Sequence, residues 1–311
     1  MSSRKQDSHE PASVRLREFA PRAIAWPVLA LSCMLFGPNA TASQFGVDLG
    51  AHSIEQRLTS VAAQAYPYAS EVSQFYAERN FEPVWMADPS KAKQLIDALR
   101  DAASEGLSSV DYGPDLLELR LTKNAPEEGA ALELALTDAL LRYVADLRGV
   151  QSESSQRELR AEAVLANASA ARDLRSYLKS QGPANPMYRR LRRMLAQYRG
   201  IEARGGWPML LTRETLKPGA SAPEVAVLRR RLEASGDITV PVSEPEHFDQ
   251  GLEMAVQRYQ KRVGLEQDGV VGPKTRAALN VPVAARVEQI RINLERWRAM
   301  PDDLGERYVL V

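Results

Sequence analysis

The chain has 311 residues, 44% of them apolar, with Lys+Arg and Asp+Glu equal at 40 each. That length admits two or three domains, and that apolar share supports a packed core. A formal net charge of zero argues against long-range attraction to a polyanion such as DNA, and 6% aromatic residues leave few platforms for stacking single strands, so no nucleic-acid partner is expected.

Residues 1–42 read as a secretory signal. Arg4, Lys5, Arg15, Arg17 and Arg22 form a basic leader, residues 23–36 are an apolar stretch, Gly37-Pro38 breaks it, and Ala40-Thr41-Ala42 supplies the small residues a signal peptidase reads. The stretch is shorter than the roughly 20 apolar residues of a membrane span and contains Pro27, so cleavage after Ala42 is expected. The alternative is an uncleaved N-terminal anchor, the one route by which the chain would touch a membrane. Removal of residues 1–42 takes five of the 40 basic and three of the 40 acidic side chains, leaving 35 and 37, a net of −2. It also removes Cys33, the single cysteine, so the mature chain would have no thiol for a disulfide, a cysteine zinc site or cysteine nucleophilic catalysis.

Residues 43–70 are polar and Ala/Ser-rich and read as a flexible lead-in. Val72, Phe75 and Tyr76 then show helical spacing, and Phe81-Glu82-Pro83-Val84-Trp85-Met86 reads as a short extended segment with Trp85 as a core anchor. Asp88-Pro89 opens a helix with apolar Leu95, Ile96 and Leu99, closed by Gly106. A second helix follows Pro126, where Leu132, Leu136, Ala139, Leu140, Tyr143, Val144 and Leu147 recur at steps of three and four until Gly149. A third, Ala-rich helical stretch covers about residues 156–179. After Gly182-Pro183 and Pro186, one helix face carries Met187, Leu191, Met194, Leu195 and Tyr198, and the other carries Arg189, Arg190, Arg192, Arg193 and Arg199, a solvated face or a contact for anionic glycan or lipid. Residues 71–204 thus read as one mainly helical domain, and residues 205–222, rich in Gly and Pro, as a linker.

Residues 223–280 lay out three short helices. The first shows Val225, Leu228 and Leu232 and stops at Ser235-Gly236. The second shows Leu252, Val256, Tyr259 and Val263 and stops at Gly264. The third follows a tight Asp268-Gly269 turn, opens at Gly272-Pro273 and is anchored by Leu279. The overall fold class expected is mainly α: a helical first domain and a small three-helix second one.

The second unit carries a specific resemblance. Its Leu216-x-Pro218-Gly219, Val225-x-x-Leu228-x-x-x-Leu232-x-x-x-Gly236, Phe248-Asp249, Ala255-Val256-x-x-Tyr259-Gln260-x-x-x-Gly264-Leu265 and Asp268-Gly269-Val270-Val271-Gly272-x-x-Thr275-x-x-x-Leu279-Asn280 segments, in this order, resemble the peptidoglycan-binding domain 1 family. One departure is Arg229-Arg230 after Leu228, where the family often has Leu-Gln. The resemblance implies a shallow polar groove for sugars and stem peptides, with Phe248, Tyr259, Gln260, Asp268, Gly269, Gly272 and Thr275 as candidate site residues and stem-peptide carboxylates at the start of the third helix. For each of these residues the alternative is that it builds the fold.

Upstream, Phe81-Glu82-Pro83-Val84-Trp85, Tyr143-x-x-Asp146-Leu147-Arg148-Gly149 and Gly205-Gly206-Trp207-Pro208 resemble the scaffold domain of periplasmic L,D-transpeptidases. Residues 281–311 resemble the helix and first strand that lead into that family's catalytic domain, and the strand-like Tyr308-Val309-Leu310-Val311 is expected to pack loosely. The family's cysteine nucleophile and histidine base lie beyond residue 311. His52 and His247 read as surface residues without a nucleophile beside them, and no carboxylate pair or metal-ligand spacing is apparent, so no catalytic residue, metal or cofactor is expected. The resemblance implies a periplasmic protein whose partner is peptidoglycan. Three readings stay open: a peptidoglycan-docking chain, the front part of an L,D-transpeptidase making 3-3 cross-links, or a scaffold for other wall-synthesis proteins.

Overall fold

A computed structural model describes residues 48–61, 68–150, 159–238 and 243–300. The expected signal (residues 1–42), residues 43–47 and 62–67 of the lead-in, and the strand-like tail lie outside the described residues. Among the described residues the protein is mainly α, with 12 helices and no strands, as its patterning implies. None of these helices is long and apolar enough to cross a membrane.

The first core departs from expectation at once. A helix, α1 (Asp48–Val61), stands inside the supposed lead-in, and it buries Ile54 and Leu58. One turn separates these residues, so two apolar side chains suffice to fix a polar helix on a core. α2 (Ala69–Glu78) buries Val72, Phe75 and Tyr76. The segment after it is a turn rather than an extended run: Asn80 and Phe81 have φ of 53° and 57°. The backbone N–H groups of Val84, Trp85 and Met86 all converge on the carboxylate of Glu133, a geometry closed to a straight strand.

α3 (Pro89–Arg100) starts as the sequence implies, with Asp88 accepting from the Lys91 N–H at 3.1 Å. It tightens into a 3-10 turn over Asp101–Glu105, which Gly106 ends at φ 78°. α4 (Pro114–Lys123) was not foreseen: only Leu117 among its leucines is buried, so it has no clean apolar stripe. α5 (Gly129–Arg148) is the central helix, buried along most of its length. The Ala-rich stretch divides in two, α6 (Ala161–Ala170) and α7 (Leu174–Lys179), because Asp173 caps a new helix by accepting from the Ser176 N–H at 3.0 Å.

Glu133 holds this core together. It is fully buried at 0% exposure in the middle of α5. Its Oε1 accepts from the Tyr76 hydroxyl at 2.7 Å and the Val84 N–H at 2.6 Å, and its Oε2 from the Trp85 and Met86 N–H groups at 3.1 and 2.9 Å. One turn on, the Thr137 hydroxyl accepts from the Trp85 indole N–H at 3.0 Å. A loop without regular structure thereby has its orphan donors satisfied.

α8 (Pro186–Ala203) and α12 (Val283–Ala299) form a second core with each other: Tyr188, Leu195, Tyr198, Ile201 and Trp207 pack on Val283, Val287, Ile290 and Leu294. The buried face of α8 is therefore rotated from the expected one: Met187 is exposed, and Leu191 and Met194 are only partly covered. Its arginines split. Arg192 pairs with the buried Glu105 at 2.5 Å and Arg199 donates to the Ala103 carbonyl, tying α8 to the 3-10 turn. Burial pushes the Glu105 carboxyl up, against the pull of Arg192.

The third core belongs to α9 (Pro223–Ala234), α10 (Gln250–Arg262) and α11 (Pro273–Leu279), with Val225, Leu228, Leu232, Leu252, Val256 and Leu279 inside as their spacing implies. Asp249 caps α10 through the Leu252 N–H at 2.7 Å.

Candidate functional site

The structure draws most of the candidate residues into one network, and it turns most of their side chains inward. Gln260, on the last turn of α10, is its centre. Its side-chain amide donates to Asp268 Oδ1 at 2.7 Å, to the Val270 carbonyl at 3.0 Å and to Thr275 Oγ1 at 3.2 Å, while its Oε1 accepts from the Gly269 N–H at 3.0 Å. Asp268 Oδ1 also accepts from the Val270 N–H at 2.9 Å. These backbone and amide donors hold the Asp268 carboxyl below the usual carboxylate range. Gly269 has φ 71°, and a Cβ there would meet Glu253 Cγ at 2.8 Å, so the turn needs glycine on both counts.

Gln260, Thr275, Phe248 and Tyr259 are buried, whereas Asp268 is exposed and Gly272 half-buried at the start of α11. The expectation that Tyr259 and Gln260 line a groove is thus corrected. Both lie on the α10 face that packs inward, and what reaches solvent is the loop they shape: Glu266, Gln267, Asp268, Pro273 and Lys274. Phe248 acts similarly from behind. Its N–H donates to the Ala220 carbonyl at 2.8 Å and its carbonyl accepts from Gly219 at 2.9 Å. Together with the paired backbones of Leu216 and Val271, these bonds bind the later part of the 205–222 segment to the three-helix core.

Several structural residues escaped the sequence reading. The departure at Arg229 is resolved by Asp249, which it meets at 3.0 Å while also donating to the His247 carbonyl. Arg231 is 2% exposed; it stacks on the Trp207 ring with 3.8 Å to the centroid and donates to the Leu279 carbonyl at 2.8 Å. Burial pulls its guanidinium down to about 10, which leaves it charged at neutral pH. The signal was present: residue 231 shares the inward face with Leu228 and Ser235 at helical spacing, and a basic run hid it. His247 is also not isolated, since the Ser221 hydroxyl lies 3.1 Å from its Nδ1. The two residues face each other across an antiparallel backbone bridge. Among the described residues no carboxylate is bonded to that imidazole, and no group of three or more His, Cys, Asp or Glu could hold a metal ion.

Comparison with known proteins finds two family matches. Residues 70–195 match the family described as Scaffold domain, and residues 221–279 the family described as putative peptidoglycan binding domain. No curated protein matches the chain. The second match supports peptidoglycan as a partner and places the chain in a cell-envelope context. The chain therefore carries, in tandem, a Scaffold domain of L,D-transpeptidase type and a peptidoglycan-binding domain 1.

Proposed function

We propose that the chain docks on peptidoglycan in the periplasm as the non-catalytic, wall-gripping part of an L,D-transpeptidase-like protein. The observation that supports this reading best is the match of residues 221–279 to a peptidoglycan-binding family, combined with a loop whose shape is held from inside by Gln260. In this reading the contacts come from the exposed rim of residues 266–274, and the buried Phe248, Tyr259, Gln260 and Thr275 keep that rim in register. Lys274 is the exposed cation of the rim and the natural partner for a stem-peptide carboxylate. The 3-3 cross-linking chemistry of the resembled family would need a thiol from outside the described residues.

The test is co-sedimentation of the full chain with insoluble peptidoglycan. The wild-type chain pellets with sacculi, and Lys274→Glu weakens that binding about threefold to tenfold. A glutamate in the first turn of α11 favours the helix, so lost binding would not reflect a lost fold. A wild-type chain that stays in the supernatant overturns the reading.

A further inference from the structure

The arginines of α8 that do not bind inward form a surface of their own. At 100° per residue, Arg189, Arg190, Arg193, Gln197 and Arg204 fall on the side of α8 opposite Tyr188, Leu195 and Tyr198, and all five are exposed. Ala196 and Gly200 lie between them, so the strip is flat as well as basic. From residue 189 to residue 204 it extends roughly 22 Å. No acidic side chain stands on it: Glu202, the one acid of the helix, lies on the other side.

What sets the strip apart is that its arginines cluster on one helix face with no acid among them. Arg100, Arg120, Arg142, Arg229, Arg262 and Arg291 each meet a carboxylate, and Arg192 of the same helix meets Glu105. The four outward arginines form no ion pair among the described residues; Arg189 makes one contact, to the Ala184 carbonyl. Four unneutralised guanidinium groups on one helix repel each other, a cost of tenths of a kcal/mol per neighbouring pair. An anionic partner relieves it. The strip also continues toward the three-helix unit, because the Gln197 amide lies 3.8 Å from where a Cβ of Gly236, at the end of α9, would stand.

We infer that the outward arginine strip of α8 is a second peptidoglycan-contact surface that engages the free carboxylates of stem peptides on a strand gripped by the residue 266–274 rim. This rests on the peptidoglycan-binding reading above. Guanidinium groups take carboxylates in forked pairs, and a row of them on a rigid helix suits a polymer that repeats its carboxylates. Since the strip is exposed, its contribution is screened by salt.

The experiment is a salt series of co-sedimentation with sacculi, comparing the wild-type full chain with the triple variant Arg189→Gln, Arg190→Gln, Arg193→Gln. The expected result is binding about fivefold weaker for the variant at low salt, converging with wild type at high salt, with the melting temperature unchanged. Sacculi whose carboxylates are chemically amidated should bind the wild-type chain more weakly than native sacculi bind the variant, because the Lys274 contact is lost as well, and amidation should weaken the wild-type chain more than the variant. If the variant binds like wild type across the series, the strip inference falls while the docking reading stands. If wild type binds at no salt concentration, both fall. If amidation changes nothing while anionic phospholipid vesicles capture wild type and not the variant, the strip faces a membrane and the inference is overturned.

Discussion

Glu133 can be removed with one atom's change in shape, which makes it the sharpest probe of the first core. Glu133→Gln keeps one oxygen and replaces the other by an amide that donates. With the retained oxygen in the Oε1 position, Tyr76 and Val84 keep their acceptor and the Trp85 N–H still reaches it at 3.2 Å, but the new amide meets the Met86 N–H donor against donor. Rotating the amide instead strands the Val84 N–H, while the Tyr76 hydroxyl can turn to Thr137. A buried donor left unpaired costs about 1–3 kcal/mol. For a chain of this size that lowers the melting temperature by about 3–10 °C. Thermal unfolding followed by circular dichroism measures it, and the fluorescence of Trp85, whose indole N–H depends on the adjacent Thr137, should report the loosened loop. A Glu133→Gln protein melting within about 1 °C of wild type would refute the claim that this carboxylate organises the loop.

Gln260→Leu leaves the Gly269 N–H and the Thr275 hydroxyl without their partner; it should cost about 2–3 kcal/mol in thermal stability and abolish sacculus binding in the sedimentation assay. Arg231→Met keeps the apolar stem and removes the guanidinium over Trp207; hydrogen exchange should then show residues 207–216 opening more readily, with α5 unaffected. Asp146 gives a pH prediction. Burial pushes its carboxyl up to about 6, above the unfolded value near 3.9, while the Tyr112 hydroxyl bonded to it at 2.5 Å pulls the other way. The native protein therefore holds this proton more tightly than the unfolded chain, and the stabilisation from this site is full below about pH 4 and is lost as pH rises through 6. Glu105 and Asp138 are raised for the same reason, burial, so they act in the same direction. Asp146→Asn should flatten the pH dependence of the melting temperature between pH 4 and 7; an unchanged profile would contradict it.

The sequence exposed whatever depends on period and punctuation. The apolar rows of α5, α9 and α10, the cap Asp88, and the stops at Gly149, Gly236 and Gly264 were legible because each follows from local chemistry. What escaped depends on partners distant in the chain. Glu133 reads as a polar interruption of an apolar helix until Val84, Trp85 and Met86, almost fifty residues earlier, supply its donors. The buried side of α8 is decided by α12, some ninety residues on, and that is why Met187 was assigned to the wrong face. At the candidate site, the motif residues were found but their direction was not: period places Tyr259 and Gln260 on α10 without saying that this side meets α11.

The stacked guanidinium of Arg231 has a mechanical consequence. It touches Trp207 on the segment leaving α8 and Leu279 at the close of α11, and its ring neighbour Tyr259 lies on α10. Tension on α9–α11 from a bound wall strand would therefore be carried in part by a charged plate wedged between aromatic rings rather than by a slack tether. Such a joint resists shear yet can slip and re-seat without breaking a covalent bond, so a protein clipped to a sacculus that stretches and relaxes could ride the movement as one body.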